Sequence, residues 1–130
     1  MMRLLVFLLS FLTIPFFSAQ AQDAIIAPLA SKSLLLDITV VNQTKLVAVG
    51  ERGHILLSND GEYWQQANVP VQATLTAVYF IDENNGWAVG HDATILVTKD
   101  GGLSWQLQQH LPQVQKPLLD VLFTDVNNGI

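Results

Sequence analysis

The sequence contains no cysteine and only two arginines, Arg3 and Arg52, in 130 residues. The lack of cysteine excludes disulfides and thiolate metal sites. The scarcity of basic residues argues against a second class of function, because an acidic, arginine-poor surface does not attract nucleic acid or anionic lipid. Apolar residues at the helical period are also missing after residue 21, and this absence disfavours α-helices.

The first 21 residues have the composition of a secretory signal peptide. Arg3 supplies the positive start, residues 4–17 are almost wholly apolar, and Ala19-Gln20-Ala21 is an A-x-A cleavage site. An uncleaved membrane anchor is the alternative, but the apolar run is shorter than the roughly 20 residues that a spanning helix needs. The sequence therefore predicts cleavage before Gln22 and an exported protein, periplasmic or extracellular. Five basic and eleven acidic residues then remain, a net charge of −6.

After a lead-in predicted to be extended, residues 22–33, the sequence repeats with a period of about 40 residues. Ala48-Val49-Gly50 returns as Ala88-Val89-Gly90, and a third copy begins near Leu118. Each complete copy contains four short β-rich runs separated by turn residues. This pattern predicts an all-β fold, a partial β-propeller of four-stranded antiparallel blades. About two and a quarter blades are expected within residues 34–130: 34–72, 73–113 and the start of a third at 114–130.

Two related turns are the most specific motifs of the repeat, and each follows a short apolar run. The first is Ser58-Asn59-Asp60-Gly61-Glu62-Tyr63-Trp64 and the second is Thr98-Lys99-Asp100-Gly101-Gly102-Leu103-Ser104-Trp105. An Asp side chain in a turn can accept backbone N–H groups, glycine supplies a positive φ, and the Trp anchors the next strand. Structural roles are therefore predicted for Ser58, Asp60, Gly61, Trp64, Thr98, Asp100, Gly102 and Trp105.

Catalytic and metal-binding roles of the polar residues are less well supported than structural roles. Asp60 and Asp100 could be catalytic carboxylates, but a residue that occurs once per repeat usually serves the repeat. His54, His91 and His110 have neither the His-x-x-x-His spacing nor the acidic partners that a metal site requires. We therefore expect no catalytic residue, no metal and no cofactor.

Sugar-binding and calcium-binding interpretations are also open. Trp64, Trp87 and Trp105 could stack on sugars, but their recurrence beside the same Gly and Asp favours packing between blades. Asp82-Glu83 together with Asp125 could hold Ca²⁺ weakly. Such acidic residues more commonly lie in a solvated turn.

The pattern Ser/Thr-x-Asp-x-Gly-x-x-Trp is the Asp-box, or bacterial neuraminidase repeat. Residues 98–105 match it fully and residues 58–64 match a form one residue shorter. Together with Leu75–Phe80 and Asn85–Gly90, these motifs make the chain resemble the photosystem II stability/assembly factor family over about residues 34–130. The resemblance implies a seven-bladed propeller, periplasmic or lumenal, that helps to assemble reaction-centre subunits. About two and a quarter blades cannot close such a ring, so we expect this chain to be the N-terminal fragment of a longer protein; a truncated gene product is the alternative.

Two classes of function follow from the repeats. The first is a non-catalytic scaffold that binds a protein partner, such as a membrane-complex subunit, during assembly. The alternative is an Asp-box glycoside hydrolase of the sialidase kind, with its catalytic residues in missing blades. A sialidase site needs several arginines that converge on a carboxylate, and residues 22–130 contain only Arg52. The family resemblance likewise implies a docking patch of arginines, which this chain lacks.

The candidate partner-binding residues lie in the connection after the second strand of each copy. They are Glu51, Arg52, His91 and Asp92, which are polar and differ between the copies, so they are free to carry specificity. The net charge of −6 favours a basic or neutral partner.

Overall fold

The computed structural model describes residues 21–130, and these residues contain no α-helix. Two four-stranded antiparallel sheets and a two-stranded ribbon follow one another along the chain. The predicted all-β partial propeller is therefore confirmed. The predicted signal peptide lies outside the described residues except for Ala21. The strands are β1 (Leu35–Val40), β2 (Leu46–Gly50), β3 (Ile55–Ser58), β4 (Gln65–Gln66), β5 (Leu75–Phe80), β6 (Gly86–Gly90), β7 (Thr94–Thr98), β8 (Gln106–Gln109), β9 (Phe123–Asp125) and β10 (Asn128–Gly129).

The two sheets have the same strand order, and their first three strands also repeat in register. Their strands pair in sequence, β1-β2-β3-β4 and β5-β6-β7-β8. Leu35 pairs with Gly50 in the first sheet, and Leu75 pairs with Gly90 in the second. The first strand of each sheet, β1 and β5, has a register irregularity just after this pair, at Asp37 and Ala77. The 40-residue period of the sequence is therefore a period of the backbone.

The second strand of each sheet is buried over nearly its whole length, because both faces of the sheet are covered. Val47 and Val49 of β2 face the second sheet, where they join a core with Leu75, Leu96 and other residues. In β6, Ala88 belongs to that same core, whereas Trp87 and Val89 pack on the other side against residues of the third repeat. Strands buried on two faces explain the nearly continuous apolar runs in the sequence.

Residues 81–85 form the turn between β5 and β6. Asp82 organises this turn, because its Oδ1 accepts the N–H groups of Asn84 and Asn85 at 2.8 and 2.7 Å. Gly86 is already the first residue of β6. A Cβ at Gly86 would lie 2.7 Å from the ring of Phe80. The glycine is therefore needed for the close approach of an aromatic ring.

The lead-in segment runs beside the outer strand of the first sheet and the linker that follows it. Gln66 holds this segment with its side-chain amide, which accepts from the N–H of Ala27 and donates to the carbonyl of Ile25, both at 2.9 Å. The Ala24 N–H donates to the carbonyl of Val69 at 2.7 Å. No helix long and apolar enough to cross a membrane occurs within residues 21–130.

Candidate functional site

The antiparallel order of the strands divides the loops between two ends of the sheets. The β1–β2, β3–β4, β5–β6 and β7–β8 connections lie at one end, which we call the Asp-box end because both Asp-box turns belong to it. The β2–β3 and β6–β7 connections lie at the other end, which we call the opposite end. The two sets of predicted residues, structural and partner-binding, are therefore separated by the length of the strands.

The second Asp-box turn is closed by hydrogen bonds to the Asp100 carboxylate. Its Oδ1 accepts from the Thr98 hydroxyl at 2.8 Å and from the Ser104 N–H at 2.9 Å, and its Oδ2 accepts from the Ser104 hydroxyl. The Thr98 hydroxyl in turn accepts the Gly102 N–H at 2.9 Å. Gly101 and Gly102 have φ of 70° and 88°, the left-handed region in which glycine is unstrained. The indole N–H of Trp105 donates to the Gly102 carbonyl at 3.0 Å.

The first Asp-box turn uses the same chemistry with one residue fewer. Asp60 Oδ1 accepts from the N–H groups of Glu62 and Tyr63, both at 2.9 Å, and from the Ser58 hydroxyl at 3.1 Å. Gly61 has a φ of 77°. The indole N–H of Trp64 donates to the Gly61 carbonyl at 3.1 Å. In both turns the carboxylate accepts bonds from groups of its own turn.

These bonds also fix the charge of the two carboxylates. The N–H groups of Tyr63 and Glu62 are the main cause of a lowered pKa at Asp60. At Asp100 burial raises the pKa, but the donors of Ser104 and Thr98 outweigh it, so the net shift is again downward. A carboxylate with a lowered pKa remains ionised at neutral pH and is a poor general acid or base there.

The acidic residues that could have formed a calcium site belong to the hairpin turns of successive repeats. The Asn85 side-chain amide donates to both oxygens of Asp82, and Asn128 does the same to Asp125. These amides are the first cause of a lowered pKa at each carboxylate. Among residues 21–130, no three His, Cys, Asp or Glu side chains are grouped so that they could hold a metal ion.

The three tryptophans have different surroundings. Trp87 stacks on Phe123 with ring centroids 3.5 Å apart and an interplanar angle of 9°, and Trp105 meets the ring of Phe80 edge-on at 6.0 Å. Both indoles are 5% exposed. Trp64 is only half-buried and lines a groove of about 350 Å³ that also includes Tyr63 and Leu103. Of the three, Trp64 has the most exposed ring.

The candidate partner-binding residues occupy two similar tight turns at the opposite end. His54 N–H donates to the Glu51 carbonyl at 3.0 Å, and Thr94 N–H donates to the His91 carbonyl at 3.1 Å. Arg52 and Asp92 both have a φ of 57°, an unusual conformation for residues other than glycine. In each turn this conformation is followed by a second residue with positive φ. The repeated geometry brings both turns to the same end of neighbouring sheets.

The four residues differ in how freely they can reach a partner. Arg52 and His91 are exposed, whereas Glu51 and Asp92 are half-buried. Glu51 Oε1 accepts the N–H of Leu34 at 3.2 Å, and the Asp92 carbonyl accepts the N–H of Leu111 at 2.7 Å. The exposed pair, one cation and one imidazole, is therefore the part of this set most available for binding.

The structure also reveals a buried histidine that sequence reasoning placed only among metal candidates. His54 is 4% exposed, and its Nδ1 lies 2.8 Å from the Ser33 hydroxyl. That hydroxyl already donates to the Ala30 carbonyl at 2.6 Å, so the histidine must donate from Nδ1. Ser33 is therefore not activated as a nucleophile by this histidine, since its proton is directed elsewhere. Burial lowers the pKa of His54.

Comparison with known proteins identifies the type of repeat. The family model described as photosynthesis system II assembly factor YCF48 matches residues 60–128. A stretch of 43 residues is 42% identical to the photosystem II assembly protein Ycf48 of Thermosynechococcus vestitus, covering 33% of this chain and 12% of that protein. Over 69 residues, 52% of this chain and 16% of the relative, the chain is 30% identical to the chloroplastic photosystem II stability/assembly factor HCF136 of Cyanidioschyzon merolae.

The fold has a solved counterpart as well. A structure of YCF48 bound to a D1 peptide superimposes with a TM-score of 0.66 at 20% sequence identity, covering 86% of this chain and 37% of that one. At this identity the likeness concerns the fold. The matched stretches span about an eighth of the Ycf48 protein and a little over a third of the solved chain.

Proposed function

Since the chain belongs to the YCF48 family of photosystem II assembly factors, we propose that it is an exported, non-catalytic scaffold that binds a protein subunit of a photosynthetic membrane complex. The observation that carries this proposal is the family match, which extends from the first Asp-box turn to the third repeat. The solved relative holds a peptide of D1, so a peptide segment of a photosystem II subunit is the ligand proposed for this chain.

The opposite end is the proposed contact surface. The carboxylates of the Asp-box end accept hydrogen bonds from their own turns, whereas Arg52 and His91 are exposed at the tips of adjacent tight turns. An exposed guanidinium can donate to backbone carbonyls or a carboxylate of an extended segment. The predicted mature charge of −6 favours a segment that is neutral or basic apart from that contact.

A non-catalytic role is supported by the chemistry of the polar residues. Asp60 and Asp100 accept hydrogen bonds from donors of their own turns, and the Ser33 proton is directed to a backbone carbonyl. The only arginine among residues 21–130 is Arg52, whereas a sialidase-like site requires several. The export step rests on the predicted signal peptide of residues 1–21.

Site-specific photocrosslinking tests the proposal. A tagged full chain carries benzoylphenylalanine at Arg52 or His91, and a matched control carries it at Lys99, an exposed residue of the Asp-box end. Each is irradiated with detergent-solubilised photosynthetic membranes. We expect photosystem II subunits to be captured from positions 52 and 91 and not from 99. Capture of none of these subunits, or equal capture from position 99, would contradict the proposal.

The same preparation tests the enzymatic alternative. We expect no release of sugar from sialyl or other glycoside substrates. Turnover that is abolished by a single carboxylate substitution would show that the protein is a hydrolase and would contradict the scaffold proposal.

A further inference from the structure

A groove at the Asp-box end lies between the first and second sheets. One wall comes from the β1–β2 and β3–β4 connections, and the other comes from the β7–β8 connection. Its volume of about 350 Å³ is within the range of small-molecule sites. Both walls belong to the two four-stranded sheets. The lining includes Lys45, Asn59, Tyr63, Trp64, Gln65 and Leu103.

The apolar part of the groove consists of side chains that the core leaves accessible. Tyr63 and Leu103 are 80% and 67% exposed. Trp64 is half-buried, whereas Trp105, at the corresponding position of the second Asp-box turn, is 5% exposed. The first turn therefore presents aromatic surface that the second turn buries, and such surface stabilises a ligand when the two are removed from water.

The polar part of the groove supplies one positive charge and two amides. Lys45 is half-buried, and its ammonium lies against the second Asp-box turn, since a Cβ at Gly101 would be 2.7 Å from Nζ. Asn59 and Gln65 are exposed, and each amide can both donate and accept hydrogen bonds. The Ser58 hydroxyl, in contrast, already bonds to groups of its own turn.

From this combination we propose that the groove binds a short saccharide that carries a carboxylate, as a uronic acid does. The apolar face of a sugar ring lies on Tyr63, Trp64 and Leu103. The hydroxyls bond to the two amides, and the carboxylate accepts from the Lys45 ammonium. This site is at the far end of the sheets from the peptide surface proposed above, so it is a further binding activity.

A saccharide fits this groove better than an extended peptide does. A peptide that adds to a sheet needs a free strand edge. The outer strand of the first sheet, β4, is only two residues long, and Gln66 bonds to the lead-in segment beside it. The mixed lining also suits a ligand that has apolar ring faces and many hydroxyls.

The acidic character of the chain does not prevent this contact. The Debye length at physiological ionic strength is about 8 Å, so distant carboxylates are screened while Lys45 is in direct contact. Asp60 accepts from the N–H groups of its own turn, and Glu62 is absent from the lining of the groove. Lys45 therefore determines the local preference for charge.

Digalacturonate and galactobiose of the same linkage are the probes for this site. They differ only in that each ring of the first carries a carboxylate in place of a hydroxymethyl group. Each is titrated into the isotope-labelled full chain, and chemical-shift changes report binding. We expect saturable binding of digalacturonate and at least about threefold weaker binding of galactobiose.

Matched variants separate the charge of the groove from its apolar surface. Lys45→Gln should remove the preference for the acidic sugar, whereas Lys99→Gln, the same charge change at an exposed residue outside the groove, should retain it. Leu103→Ser should weaken both sugars at least about threefold. Leu29→Ser should leave binding unchanged, since Leu29 is 69% exposed and does not line the groove.

Four results would overturn the proposal. Three are no saturable binding of digalacturonate at millimolar concentration, equal affinity for the two sugars, and equal loss of the preference in Lys45→Gln and Lys99→Gln. The fourth is a Tyr63→Ser variant that binds digalacturonate as the native chain does but no longer self-associates. That result would assign the groove to a second copy of the chain.

Discussion

Replacing Asp100 by alanine removes the acceptor that closes the second Asp-box turn. The main cost falls on Thr98, whose side chain is 1% exposed and whose hydroxyl donates to Asp100 at 2.8 Å. A buried hydroxyl left without its acceptor costs about 1–3 kcal/mol. The Ser104 donors lie at the surface, where water replaces the lost bond and the contribution is small. We therefore expect Asp100→Ala to lower the free energy of unfolding by about 2 kcal/mol.

Urea denaturation followed by tryptophan fluorescence measures this change. For a domain of this size the midpoint should fall by about 1 M. Asp100→Asn keeps an acceptor oxygen and should lose less than half as much. Asp23→Ala removes the same charge from an exposed residue and serves as the control for net charge.

The pH dependence gives a second, independent check. Because the pKa of Asp100 is lowered in the folded state, its stabilisation is present above the unfolded pKa and is lost as the pH falls through the folded value. The difference between the native chain and Asp100→Ala should therefore shrink from about pH 5 to about pH 3. If Asp100→Ala were as stable as Asp23→Ala at neutral pH, the structural role of the turn would be refuted.

Three other perturbations have equally definite outcomes. The pKa of His54 is lowered in the folded state, so the folded state resists protonation of this side chain. The free energy of unfolding should therefore fall from about pH 7 to about pH 5.5 in the native chain but not in His54→Asn. Denaturation at both pH values measures this difference. Gly53→Ala should destabilise the fold strongly, because its Cβ would lie 2.0 Å from a backbone oxygen. Ala93→Gly relieves a φ of 48° and should be neutral or stabilise the fold by up to about 1 kcal/mol. Equal destabilisation by the two substitutions would contradict this expectation. N-terminal sequencing of exported protein should begin at Gln22, and retention of Met1 would exclude cleavage.

The sequence predicted the repeats and the strands because the relevant interactions are local. Asp60 and Asp100 accept from groups two to four residues away, so their spacing alone describes the turn. The order of the strands follows from short connections between β-rich runs. The one-residue difference between the two Asp-box turns falls after the β2–β3 and β6–β7 ladders, which pair in the same register.

Long-range contacts could not be predicted in the same way. The Asp37 bond to Val78 joins two sheets across 41 residues, and the Gln66 bond to Ala27 joins the lead-in to the first sheet across 39. Such contacts depend on how neighbouring sheets stack and on where the lead-in lies, which the period of apolar residues does not specify. Similarly, the positive φ of Arg52 and Asp92 could not be predicted, because neither residue is a glycine. His54 and Thr94 occupy corresponding positions, but the side chain of His54 bonds to Ser33 and that of Thr94 to His110, so the repeat does not predict these partners.

The central claim is that this chain is a scaffold that holds a peptide segment of a photosystem II subunit at its opposite end. Titration of the purified chain with synthetic peptides that cover those subunits tests it most directly. We predict saturable binding of at least one peptide, which weakens as salt is raised and in Arg52→Ala, but not in Lys99→Ala. Failure of every peptide to bind, or binding that Arg52→Ala and Lys99→Ala leave equally unchanged, would contradict the claim.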